Sequence, residues 1–525
     1  MGDFLWWRDG VIYQIYPRSF ADSNGDGFGD LPGITSKLDY LAFLGIDGLW
    51  LSPIHPSPDK DFGYDVADHT AIDPRYGTME DFDLLVAEAH KRGIRIILDM
   101  VLNHTSDQHP WFRESRSSRD NPKRDWYLWR EKPNNWASVF GGSGWDYDEK
   151  TGRYYFHMFL KEQPDVNWRN PEVRKAQLNV FRFWLERGVD GFRLDVFNAY
   201  FKHPGFEDNP SKFGLRRFDQ QVHVNDMDRP EMMPLLGELR SLLDSYPERY
   251  SVGEPFVSTP EKTASYAGAQ KLHTAFFFFF DNTTGLIPKW NADHFRRQML
   301  DLGKAAGNVY LPALAMSNHD IPRSASRYCR GEDDADAKIA MTLLMTMRGT
   351  PFIYYGEEIG MRDISLSRKE IMDPVGRYYW PIIKGRDGCR SPMQWDDSPN
   401  AGFSKGKPWL KLHPNYTARN VLAQEKDTDS MLSFTRRLIA LRKEYGALRD
   451  GGILFLEPSQ KDVLAYLRLS PQGTILVGLN FSSRARKLDL PPGDWQPLLS
   501  TSARDEKISD IIKLAPHEVC LMKSS

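Results

Sequence analysis

Short apolar runs of the strand kind recur along the chain as far as residue 358, and helical periodicity fills most of the gaps between them. The runs are VIYQIYP (11–17), DGLWLSP (47–53), IRIILDMV (94–101), GFRLDV (191–196), YSVGEP (250–255), HTAFFFFF (273–280), YLPALAMSN (310–318) and PFIYYGEE (351–358). Spacing of apolar residues predicts helices over 34–45, 79–92, 171–187, 231–246, 259–267, 290–303 and 336–348. IRIILDMV is apolar on both faces, as a parallel strand buried under helices must be. Eight βα units predict an α/β chain closed into a (β/α)8 TIM barrel. A large open doubly wound sheet is the competing topology. No GxGxxG or GxxxxGK(S/T) loop follows an early strand, which counts against it.

The alternation breaks twice. From Asn103 to about Asn170 the chain is rich in Trp, Arg, Asp, Gly and Pro, and is too long for a structureless loop. Residues 104–170 are therefore expected to form a small inserted domain after strand three, with 1–103 and 171–450 making the barrel. The 359–430 stretch is again aperiodic and reads as loops over the barrel mouth, closed by a helix at 429–445. Beyond 451 come ILFLEP, VLAYLRL, TILVGLNF, RKLDL and VCLMK, short strands that predict a C-terminal antiparallel β-domain over 451–525.

Composition narrows the partners. A net charge of −3 and the lack of a basic arm argue against nucleic acid. No segment reaches the about 18 apolar residues of a membrane helix, and MGDFLWWRDG does not begin like a signal peptide. Cys329, Cys389 and Cys520 lie far apart and form neither a disulfide framework nor a zinc pattern, which fits a reducing, cytoplasmic setting. Nothing in the sequence specifies an oligomeric state. Fifteen Trp and 22 Tyr offer faces for sugar rings as readily as they fill cores.

In DSNGDGFGD, Asp22, Asn24, Asp26 and Asp30 alternate with small residues, and the Phe28 carbonyl is a further oxygen donor. Such a loop suits a structural Ca²⁺ or Mg²⁺. It begins like an EF-hand, but its twelfth position is Gly33, so no bidentate Glu closes it.

Barrel enzymes work at the C-terminal ends of their strands. Those ends carry Tyr64 and Asp65 after strand two, Asp99, Asn103 and His104 on strand three, Arg193 and Asp195 on strand four, Glu254 on strand five, and Asn318, His319 and Asp320 on strand seven. Within GFRLDV, residues two apart share a face, so Arg193 lies beside Asp195 and favours its ionised form. Glu254 has no cation beside it in sequence. Crowded carboxylates split into an ionised group and a protonated one, the equipment for glycoside hydrolysis. No GxSxG elbow or zinc motif competes, and no organic cofactor is implied.

DMVLNH (99–104), GFRLDV (191–196), VGEP (252–255) and SNHD (317–320) resemble, in order, the four signature regions of the α-amylase superfamily, glycoside hydrolase family 13. QPDVNW (163–168), the DSNGDGFGD loop and GRDGCRSPMQW (385–395) are similar to its oligo-1,6-glucosidase and α-glucosidase branch, with Ser391 where Thr is usual. The resemblance implies a retaining mechanism. Asp195 is then the nucleophile, Glu254 the acid and base, and Asp320 the holder of the sugar hydroxyls. His104, Arg193 and His319 would hold the same ring, Tyr64 would stack under it and Phe140 would line the pocket. Asp65, with Arg386 in preference to Arg390, would grip the non-reducing end and make the enzyme exo-acting on small α-glucosides. Val196, after the nucleophile, is the residue found in α-1,6-acting members.

Two other readings stay open at this level. One is glucosyl transfer on the same scaffold, as in sucrose isomerases and trehalose synthases, although IPRSASRY follows SNHD where isomerases carry an Arg-Leu-Asp-Arg-Asp stretch. The other is a transporter-accessory or sugar-binding chain, against which stand the intact Asp195, Glu254 and Asp320.

Overall fold

The computed structural model describes residues 4–256, 259–278, 289–307, 311–457 and 460–524. Eight parallel strands close on themselves: Ile12–Ile15, Gly48–Leu51, Arg95–Met100, Gly191–Leu194, Tyr250–Gly253, Thr274–Phe278, Ala313–Ala315 and Thr350–Tyr354. Closure is direct, because Ile12 of the first strand faces Gly48 on one side and Phe352 on the other. The barrel, not the open sheet, is the architecture. Residues 279–280 of the sixth run and Tyr310 of the seventh lie outside the described residues.

Alternation along each strand separates two cores. In the fourth strand, Phe192 turns outward and meets Phe181 of helix Pro171–Glu186 edge-on, ring centroids 4.9 Å apart. Arg193 turns inward under Trp50. Ile12, Trp50, Ile97, Tyr250, Val252, Phe276, Ala313, Ala315 and Phe352 fill the barrel, the two alanines leaving room for the rings of Trp50 and Phe276. Helix starts are set by side chains that accept orphan amides. Thr78 and Asp81 form a capping box for Met79–Lys91, and Asn170 caps Pro171–Glu186.

Between the third and fourth barrel strands, Trp129–Arg130, Trp145–Asp148 and Arg153–Phe156 form a three-stranded antiparallel sheet. Its packing is aromatic: Trp136, Trp145 and Phe156 cluster with Phe140 and Phe159, and the cluster reaches Val196 beside the fourth strand. The C-terminal region holds a five-stranded antiparallel sheet and a two-stranded one. Two of its strands, Trp495–Ser500 and Ile511–Leu514, are absent from the sequence reading. Pro497 and a register shift before Leu499 break the alternation of the first, and the second is only four residues long. Among the described residues no helix is long and apolar enough to cross a membrane. Cys329, Cys389 and Cys520 are unpaired with one another.

Candidate active site

Strand ends around the barrel and the long loops above them build the site. Asp195 is not the strand residue that its pattern implied. The fourth strand stops at Leu194, and the chain turns through Val196, whose φ of +35° is a costly conformation for a β-branched residue. The turn begins two residues before the run ends and sets Asp195 on the barrel rim, held by its amide to the Met100 carbonyl. Arg193 still reaches it, Nη1 to Oδ1 at 2.5 Å, and the same Nη1 donates to Asp99 at 2.7 Å. Its other nitrogen, Nη2, pairs with Glu254.

That last contact corrects an expectation. Arg193 does not single out Asp195; it is shared between Asp195 and Glu254. Burial, with the charges of Glu254 and Asp99, pushes the Asp195 carboxyl well above the ordinary range against the pull of Arg193. Burial and the neighbouring Asp320 push Glu254 up as well. Two buried acids on one guanidinium titrate as a unit, and the unit keeps one proton above the usual carboxylate range.

Asp320 behaves in the opposite way. Burial opposes its charge, but His319, Arg386 and Arg390 outweigh burial and hold it well below the ordinary value. Arg386 Nη1 donates to Asp320 at 3.2 Å and Arg390 Nη2 at 2.8 Å, so both arginines of the 385–390 loop meet the same carboxylate. Side-chain exposure rises from 8 % at Asp195 to 13 % at Glu254 and 35 % at Asp320, so Asp195 is the most deeply buried of the three acids. His319 lies between the rings of Tyr64 and Tyr16, centroids 5.2 and 5.9 Å away and nearly parallel to both. Gln14 Nε2 donates to its Nδ1 at 2.9 Å, which leaves Nε2 to donate to Asp320 at 3.1 Å.

Tyr64 donates its hydroxyl to Asp99 at 3.0 Å, and its carbonyl faces His104 Nε2 at 3.0 Å. Burial lowers His104 to about 4, so it is neutral. Phe140 lies against Phe159, and the Arg386 guanidinium sits 5.3 Å from its ring centre.

Asp65 is not where the resemblance put it. It is fully buried and staples its own turn, accepting from Ser57 Oγ and from the amides of Lys60 and Asp61. Of the two aspartates beside Tyr64, it is Asp61 that meets Arg386, at 2.6 Å. Both aspartates flank Tyr64 in DKDFGYD, and only the turn decides which one faces inward. Gln163 Nε2 donates to Asp61 at 3.2 Å and to the Tyr64 carbonyl at 3.3 Å, beside His104. Asp61, Gln163, Gln14 and Asp373 were missed as candidates. Gln163 stood inside QPDVNW and Gln14 inside the first strand run, whereas Asp61 and Asp373 lay outside every motif.

The 22–30 loop is closed by its own hydrogen bonds. Asp22 accepts from the amides of Asn24, Gly25 and Gly27, Asn24 from Asp26, and Asp26 from Phe28. Asp30 caps helix Leu31–Ser36 through Gly33 and accepts from Ser23. These are hard oxygen donors and fit a divalent cation in kind. Among the described residues no three His, Cys, Asp or Glu side chains gather as a ready-made metal cluster.

Comparisons with known proteins give the family. Residues 14–451 match the model of the α-amylase catalytic domain. The chain is 44 % identical to a probable alpha-glucosidase of Rhizobium meliloti, over 97 % of this chain and 95 % of that one. It is 41 % identical to an oligo-1,6-glucosidase of Parageobacillus thermoglucosidasius, over 93 % and 92 %. Among solved structures, the alpha-glucosyl transfer enzyme XgtA superposes with a TM-score of 0.93 at 41 % identity and covers the whole of both chains. The chain belongs to the α-amylase family, glycoside hydrolase family 13, and is a glycoside hydrolase.

Proposed function

We propose that the protein is a retaining, exo-acting α-glucosidase that removes glucose from the non-reducing end of short α-glucosides. The observation that carries this reading is the pairing of Asp195 and Glu254 on the two Nη atoms of Arg193. Two carboxyl groups on one guanidinium are the equipment of double displacement, in which one attacks and the other moves the proton, and the retaining course is what the resemblance to glycoside hydrolase family 13 implies. Asp195 attacks the anomeric carbon while Glu254 gives its proton to the leaving oxygen. Glu254 then takes a proton from the water that displaces Asp195. Asp320, held ionised, binds hydroxyls of the same ring. Asp61, Arg386 and Asp320 form a charged chain across the far end of the pocket, and that barrier favours a single glucosyl unit. Val196 inclines the linkage preference to α-1,6.

The relation to an alpha-glucosyl transfer enzyme supports a second reading, in which a sugar or alcohol, not water, intercepts the glucosyl-Asp195 intermediate. Sugar release from maltose, isomaltose, trehalose and sucrose separates the two, with Asp195→Asn as control. Free glucose that exceeds transfer products and vanishes in the variant supports hydrolysis. New disaccharides without free glucose overturn it.

We further propose that Asp22, Asn24, Asp26, Asp30 and the Phe28 carbonyl hold a structural Ca²⁺ or Mg²⁺, which would stiffen the loop next to the first strand. EDTA should then lower the melting temperature, and added Ca²⁺ or Mg²⁺ should restore it; an unchanged melt sinks this assignment. The free thiols suit a reducing, cytoplasmic setting.

A further inference from the structure

Arg386 touches three carboxylates, and the one that fixes it belongs to none of the strand ends. Asp373 is fully buried. Its Oδ1 accepts from Arg386 Nε at 2.9 Å and from Nη2 at 2.6 Å. Its Oδ2 accepts the Arg386 amide at 3.0 Å and, as cap of helix Pro374–Tyr379, the Gly376 amide at 3.2 Å. Asp387 answers from the other side, its Oδ2 accepting the amides of Met372 and Asp373 at 2.7 and 2.9 Å. The two segments, 371–376 and 385–387, are thus zipped by side chains of both.

The approach is so close that residue 385 must be glycine. Its φ is +81°, and a Cβ there would lie 2.5 Å from Asp373 Oδ2 and 2.9 Å from the Gly376 backbone. The same short helix carries Tyr378 across to the inserted region, where a Cβ on Gly141 would meet its ring at 2.6 Å. Arg386 therefore has Nε and one hydrogen of Nη2 committed before any substrate arrives. What remains points inward: Nη2 to Asp61 at 2.6 Å and Nη1 to Asp320 at 3.2 Å. A long, flexible side chain held at one edge presents its other edge in one orientation.

We infer that Asp373 is a positioning residue for exo specificity: it locks the guanidinium of Arg386 so that the Asp61–Arg386–Asp320 chain closes the pocket beyond the non-reducing end of the glucosyl ring. This deepens the glucosidase reading and rests on it. Burial alone would raise Asp373, but Arg386 and Arg390 overcome burial and keep it ionised, as a lock of this kind needs. Without the lock, Arg386 swings out, the terminal ring binds less well, and a longer chain can cross the place it occupied.

The test compares Asp373→Asn, Asp373→Glu, Arg386→Lys and the double variant D373N/R386K with wild type on 4-nitrophenyl α-glucoside and α-maltoside. D373N should raise KM for the glucoside about tenfold with kcat within about threefold, the pattern of lost ground-state binding. It should also release maltose directly from the maltoside, where wild type releases glucose first. D373E should recover most of both. Adding D373N to R386K should change little, because the two act as one unit. Wild-type KM and products in D373N, a loss in kcat alone, or additive effects in the double variant would overturn the lock. Thermal melts of each variant identify simple misfolding, in which case D373E alone decides through its product ratio. A wild type that turns over neither glucoside sinks the glucosidase reading itself. Calorimetric maltose binding then decides the lock, and equal affinity in D373N and wild type refutes it.

Discussion

Buried arginines occupy two regions of this molecule and keep different company. At the barrel mouth, Arg193, Arg386 and Arg390 all meet carboxylates. Where the barrel meets the C-terminal sheets, Arg442 and Arg468 are as fully buried as Arg193 and Arg390, and more so than Arg386, but donate to backbone carbonyls. Arg442 takes those of Met345, Leu448 and Gly349, and Arg468 those of Thr346, Leu448, Arg449 and Gly451. Most of these carbonyls end helices, Ala335–Thr346 and Gly446–Arg449, whose last C=O groups have no partner of their own. Burial works against the charge in both regions. At the mouth, Asp99, Glu254 and Asp195 outweigh it and raise Arg193 well above its ordinary value. At the junction nothing does, and burial brings Arg442 to about 10 and Arg468 to about 9. The difference separates chemistry from fastening. Carboxylates gathered on arginines keep further lone pairs for a ligand, whereas carbonyl-capped arginines present nothing to one.

Substitutions should break the two regions differently. Asp195→Asn is the largest expected effect: turnover should fall on the order of 10⁴-fold or more, since a group acting within a unit carries most of the unit's effect. The melting temperature should hold or rise, because the crowd of acids around Arg193 loses one member; a large drop in melting temperature would instead make Asp195 a structural residue. Arg442→Met should do the reverse. It strands the Met345, Leu448 and Gly349 carbonyls and should cost about 3 kcal/mol, read as a lower melting temperature with kcat intact. Lost kcat at an unchanged melt would erase the contrast. Smallest is a shift in pH dependence. Fluoride leaves glucosyl fluoride without a proton, so Glu254→Gln should still form the glucosyl enzyme on this substrate. After burial, the charge of Glu254 is the main influence raising Asp195. Its removal should move the acid limb of kcat/KM to lower pH, and a limb that stays or rises would show that the two carboxyls do not titrate together.

Much of the site was legible at strand ends. Asp195, Glu254, Asp320, His104 and His319 were placed by their runs, because period-two alternation and the rule that barrels work at one face need only local sequence. The details that failed were those set by turns. The fourth strand ended at Leu194, one residue before Asp195, and Asp61 took the inward place expected of Asp65 because three hydrogen bonds hold Asp65 within its own turn. Asp373 stood in an aperiodic stretch, and its partner Arg386 is thirteen residues away.

By itself the sequence determined the barrel, the interruption after its third strand, the antiparallel C-terminal region and which acids gather at the barrel rim, since each follows from hydrophobic period or from position at a strand end. Tertiary structure alone decided that Arg193 is shared between Asp195 and Glu254, that Asp61 faces Arg386, and that Asp373 holds Arg386 in place. Those are contacts across loops, fixed by how buried charges find partners in three dimensions, and no spacing along the chain encodes them.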